Sequence, residues 1–169
     1  MLNSLRSEFP DFVRKVNASA RAKPEQILPA VTEEQLEKIE KQLKGKLPTS
    51  YRKFLQLCGG FTLYGGPVQF LRGHPFRHEF PPLSQLTKVQ LQTVRLKGGR
   101  WPPPSQGMIC FAEYFLEADG DQVLFDDRGA LQDGEYPVVY YCHDGPSIEK
   151  VGESFRDWLE NRCIDEMAV

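Results

Sequence analysis

Residues 31–60 read VTEEQLEKIEKQLKGKLPTSYRKFLQLCGG, and this stretch decides the fold. Thr32-Glu33-Glu34-Gln35 fits a capping box. In that motif the Thr32 hydroxyl accepts from the Gln35 amide, and the Gln35 side chain accepts from the Thr32 amide. Val31 and Leu36 occupy the two positions of a hydrophobic staple. Glu33 and Glu34 lie where the helix dipole favours acids. Leu36, Ile39 and Leu43 form a stripe at helical spacing, and Gly45 is a suitable stop. Pro48 suits the start of a second helix whose apolar face is Tyr51, Phe54, Leu55 and Cys58. Gly59-Gly60 closes it.

Working outward, residues 5–16 place Leu5, Phe9, Phe12, Val13 and Val16 at helical spacing, with Pro10 suited to a first turn. Residues 17–30 are small, polar and proline-marked, which predicts a linker or an arm lying on the core. Phe61–Tyr64 and Val68–Leu71 read as a hairpin around Gly65-Gly66-Pro67. Residues 72–106 read as an irregular excursion marked by prolines from Pro75 to Pro104, with one helical pattern near Leu83–Val94. Met108–Tyr114, Gln122–Phe125 and Tyr136–Cys142 read as strands separated by Asp-rich turns. Ser154 caps a last helix that buries Phe155, Trp158 and Leu159. The expected fold is α+β: a mostly antiparallel sheet of about four to six strands, packed with N-terminal helices and a C-terminal helix. The expected organisation is an N-terminal helix and arm over residues 1–30 and one domain over 31–169.

Length and composition agree with a single domain. The 169 residues are 40% hydrophobic and 26% charged, the mix of a globular protein. No segment approaches the ~18 apolar residues of a membrane helix, and residues 1–10 carry no signal-peptide run. A cytoplasmic location is expected. Cys58, Cys110, Cys142 and Cys163 include no C-x-x-C pair and read as buried or partly buried free thiols. The net charge of −2 hides a split. Residues 1–100 carry 17 Lys/Arg against 8 Asp/Glu, net +9; residues 101–169 carry 4 against 15, net −11.

Taken in order, the motifs resemble the SUKH superfamily, the Smi/Knr-like proteins. Val31 to Glu40, Leu47 to Leu55 and Gly59-Gly60 resemble its opening. Phe111-Ala112-Glu113, Asp119-Gly120-Asp121-Gln122 and Phe125-Asp126 resemble its central strands. Tyr136 to Tyr141 with His143-Asp144 resembles the strand that follows, and Glu153-Ser154-Phe155 with Trp158-Leu159 its closing helix. Two departures stand out: Cys58 occupies a position where the family often has Asn, and 72–106 has no evident counterpart. The resemblance implies a non-catalytic binding protein. Bacterial members are commonly immunity proteins that neutralise a toxin, often a nuclease; fungal relatives are regulatory interaction proteins. It carries over no catalytic motif and no cofactor.

Nucleophile-elbow, zincin, P-loop and dinucleotide-binding patterns are all missing. His74 and His78 are four apart, but Pro75 between them argues against a helical metal pair. Asp119, Asp121, Asp126, Asp127 and Asp133 fit ordinary turn chemistry. An EF-hand pattern is missing. A paired-carboxylate hydrolase, or a site built on His143, is a lesser alternative. From Glu113 to Asp144 there are nine acids against Arg128 alone, net −8. Such a segment would attract a basic partner, a toxin domain under the resemblance, unless the basic half folds against it. The candidate partner-binding residues are therefore Glu117, Asp119, Asp121, Asp126, Asp127, Asp133, Glu135 and Asp144. Trp101, after the basic run Arg95–Arg100, joins them as a candidate contact. Direct nucleic-acid or membrane binding is not expected, and the chain is expected to be a monomer or weak dimer. A regulatory scaffold using 72–106 as a peptide contact is the second reading.

Overall fold

The structure is a computed structural model. It describes all residues except 1, 21, 65–67, 71–74, 81, 90–94, 98–106, 115–119, 144–146 and 165–169.

Helix α1 spans Pro10–Ala18, with proline in its first turn, and buries Phe12, Val13 and Val16. Strand β1 (Lys23–Glu25) follows. Helix α2 spans Glu33–Leu43 and carries the full capping box. The Gln35 amide donates to Thr32 Oγ1 at 3.3 Å, and the Thr32 amide donates to Gln35 Oε1 at 2.8 Å. The left-handed residue that ends α2 is Lys44 (φ 52°), one position before the expected Gly45. The Lys44 amide donates to Lys41 O and the Gly45 amide to Glu40 O, the double bond of a Schellman cap. Gly45 answers a different need: a Cβ there would lie 3.1 Å from the Arg77 guanidinium.

Helix α3 spans Thr49–Leu57. Beyond it, the Gly59 amide donates to Leu28 O and the Leu28 amide to Gly60 O. A Cβ on Gly59 would run into the Pro29 carbonyl, so the glycine pair exists to let the arm lie flat on the helix end. That arm also forms β1, which pairs antiparallel with β2 (Thr62–Tyr64). The sequence marks this stretch only as a linker or an arm, because Lys23-Pro24-Glu25 has no apolar alternation and proline suits only an edge.

The sheet continues through β3 (Val68–Phe70), β4 (Phe76–His78), β5 (Arg95–Lys97), β6 (Met108–Tyr114), β7 (Gln122–Phe125), β8 (Val138–Cys142) and β9 (Ser147–Gly152). Its order is β1-β2-β3-β6-β7-β8-β9-β5, with β4 also on β6. Both β3 and β4 run along one side of β6: β3 faces Ala112–Tyr114 and β4 faces Met108–Cys110. Among the described residues, all strand pairings are antiparallel except β5 with β9. Helix α4 (Phe155–Asn161) closes the chain, with Ser154 Oγ accepting from the Asp157 amide at 3.1 Å. The α+β class, the antiparallel sheet and the closing helix are as expected.

Two apolar clusters cover the two faces of the sheet. The larger holds Phe9, Tyr51, Phe54, Phe111, Phe125, Phe155 and Trp158 with the helices' stripes. Tyr51 lies 5.0 Å from Phe155, and Phe111 stacks on Phe125 at 4.2 Å. Each such ring contributes roughly 1.5–3 kcal/mol by burial. A bulge between Cys110 and Ala112 lets Phe111 and Ala112 both join this cluster. The second cluster lies on the other face: Phe80 and Leu86 cover Met108, Cys110, Leu124, Val139, Tyr141 and Ile148. The excursion is therefore not merely irregular. It supplies two strands and part of the second apolar layer.

Candidate functional site

The acids of the second half are the sequence's candidate site, and the strands divide them between two ends of the sheet. At the end where β7 starts and β8 finishes, Asp121 is buried (6% exposed). Its Oδ1 accepts from the His143 amide at 2.9 Å and lies 2.8 Å from His143 Nδ1. Its Oδ2 accepts from the Tyr140 hydroxyl. Gly120, at φ +100°, lies under the His143 ring, and a Cβ there would come within 2.9 Å of it. The Asp-Gly-Asp turn thus brings an aspartate and a glycine to one imidazole that is 39% exposed. Nearby, Glu113 accepts from Gln122 at 3.3 Å.

At the other end, Asp126 forms a two-pronged pair with Arg128, both contacts 2.7 Å. Burial alone would push the Asp126 carboxyl up; the hydrogen bonds and charge of Arg128 outweigh it and hold the carboxyl below its ordinary value. Asp127 pairs with Arg77 at 2.8 Å. Arg77 also donates to Leu43 O at 2.9 and 3.0 Å, which ties the end of α2 to the sheet. Glu135 accepts from the Ser50 amide at 2.8 Å and the Ser50 hydroxyl at 2.7 Å. Pro48 gives α3 no side-chain cap, so a carboxylate 85 residues away supplies one. Asp133 and Gly134 both have positive φ, as a tight two-residue hairpin turn requires, and Asp133 is exposed at its tip.

Thus Asp121, Asp126, Asp127 and Glu135 are each bonded within the fold, and Asp133 faces solvent. Glu117, Asp119, Asp144, Trp101 and His74 lie outside the described residues. His78 lies on β4 and not on a helix. Sequence reading missed Arg77, Ser50 and Tyr140 as partners of these acids. Tyr140 alone left a signal, since its alternation along β8 sets it on the Asp121 side.

All four cysteines lie among the described residues. Cys58, Cys110 and Cys163 are buried free thiols and Cys142 is half-buried. No group of three or more His, Cys, Asp or Glu is placed to hold a metal among the described residues. No described helix is long and apolar enough to cross a membrane. An open cleft of about 390 Å³ is lined by Glu37, Glu40, Lys41, Gly45 and Lys46. Its buried member, Glu40, accepts from the Leu47 amide at 2.9 Å and pairs with Lys46 and Arg52. Burial pushes the Glu40 carboxyl up, but these three partners prevail and hold it below its ordinary value.

An α+β scaffold whose sheet is covered on both faces, and whose turn acids bond mostly inward, is the class that this geometry defines. The chain belongs to the SMI1 / KNR4 family (SUKH-1), whose family model matches residues 30–161. That span runs from the arm through the last residue of α4. No curated relative matches it.

Proposed function

We propose that this protein is a non-catalytic, cytoplasmic binding domain of the immunity type, which occludes a basic toxin domain. The observation that carries the reading is the use of the ionisable groups. Asp121, Asp126, Asp127, Glu135 and Glu40 are tied to amides, hydroxyls and guanidinium groups that fix the fold. Groups spent in this way stiffen a recognition surface rather than perform proton transfer. Family membership supports the same reading.

The contact residues then divide by role. Asp121, Asp126, Asp127 and Glu135 position turns, while Asp133 together with Glu117, Asp119, Asp144 and Trp101 makes contact. The test is titration calorimetry and stopped-flow association with the product of the adjacent reading frame. Tight binding with salt-dependent association is expected. Asp133→Asn keeps a residue that tolerates positive φ and removes one charge. It should slow association about twofold with an unchanged melting temperature. An adjacent product that is not a toxin, or does not bind, overturns the reading.

Exposed apolar residues on the excursion favour the scaffold alternative. Phe76 is 38% and Val89 71% exposed. Deleting 72–106 would strip the second cluster, so Phe76→Ser with Val89→Ser is the cleaner variant. Loss of a regulatory peptide partner, with toxin binding untouched, would favour the scaffold.

A further inference from the structure

The second face of the sheet half-buries an imidazole that no proposed contact uses. His78 lies opposite Met108 on β6 and shares the face of Met108 and Cys110. Its ring stands edge-on to Phe80, centroids 4.7 Å apart at 83°, and lies 5.1 Å from Tyr141. Phe80 and Tyr141 meet each other at 5.0 Å. The three rings form a triangle that joins the excursion to β8. His78 Nε2 is buried and has no hydrogen-bond partner among the described residues.

A neutral ring fits this place. An imidazolium carries a donor on both nitrogens and needs acceptors or a counter-charge. Among the described residues, the surrounding elements offer little of either. From β6 come Met108 and the Cys110 thiol, which burial and then Glu113 push far up, so it stays uncharged. From β8 comes the Tyr141 phenol, pushed up by burial and by Cys142 and Asp121 beyond it. Phe80 and Leu86 are apolar. On the same strand and its continuation, Arg77 is paired with Asp127 on the opposite face, and Glu79 is exposed. The aromatic faces would attract a cation, but burial dominates and pushes the imidazole below its ordinary 6.5.

We propose that His78 is a pH-sensitive latch: its neutral ring holds residues 76–80 on the sheet, and protonation releases them from the Phe80–Tyr141 contact. Release would uncover the second apolar cluster while leaving the helix-covered face closed. This inference stands apart from toxin binding.

The test is amide hydrogen exchange on the full chain, expressed as protection factors so that the intrinsic pH dependence is removed. At about pH 5.5, residues 76–80 should lose about tenfold in protection relative to about pH 7.5. His78→Phe, which keeps an aromatic ring in the triangle and has no proton to gain, should show no such loss. An equal loss in that variant, or none in the native chain, overturns the latch. Should His78→Phe fail to fold, NMR titration of the native His78 ring decides. A midpoint below the ordinary histidine value sustains the proposal; one at or above it overturns it.

Discussion

Asp121 shows how one side chain can be both a turn residue and an anchor. Its carboxylate serves the His143 amide, the His143 ring and the Tyr140 hydroxyl, although it is nearly buried. Truncation would remove the acceptor that Asp121 offers to the hydroxyl and the amide. Asp121→Ala should therefore lower stability by about 2–3 kcal/mol in urea unfolding. Asp-Gly-Asp in the sequence announces a turn, and that much is legible from residues 119–121. The identity of the partners is not, because Tyr140 and His143 reach Asp121 only when β7 and β8 align.

Elements differ in how much of themselves their own residues specify. Helix α2 is written in its first turn and its stripe, and it forms as read except at its end, where Lys44 and not Gly45 turns left-handed. Helix α3 has the apolar face but lacks an N-cap side chain, and Glu135 completes it from the turn before β8. Glu135→Ala should cost about 1–2 kcal/mol by chemical denaturation, as the loss of a helix cap does. Strand β9 escaped the sequence reading because Ser147-Ile148-Glu149-Lys150-Val151-Gly152 mixes charges with two aliphatic residues. It buries Ile148 on one face and packs Val151 on the other. Strands β1, β4 and β5, three residues each, carry too few positions for any periodicity. They exist because a neighbouring strand offers donors and acceptors.

At the scale of the molecule, the charge split folds partly onto itself. Arg77 of the basic half meets Asp127 of the acidic half, with the aspartate side chain 9% exposed. Arg77→Met should cost about 3 kcal/mol, because it strands a buried carboxylate, and Asp127→Asn should recover part of that loss in the double variant. A double-mutant cycle by urea unfolding measures the coupling. Acid acts on the same ledger of paired carboxylates. The carboxyls of Glu40, Asp126 and Asp157 are all held below their ordinary values of 4.5, 3.8 and 3.8. Folding therefore favours their ionised forms. Their stabilisation is full above about pH 5 and is lost as pH falls through the ordinary range toward the folded values. Thermal melts between about pH 6 and pH 3 should show that decline.

The sequence by itself determined the helices and the central strands. Caps, stripes and alternation act over a few residues, and any fold that uses them must honour them. It also determined the family, through the order of those signals from residue 31 onward. Only the tertiary structure decided where the acids point, what the excursion covers, and which short segments become strands. Those outcomes depend on partners far along the chain, such as Arg77 with Asp127 and Ser50 with Glu135. A net charge of −8 along 113–144 is a property of the sequence. How much of it reaches solvent depends on which donors the fold brings to each carboxylate.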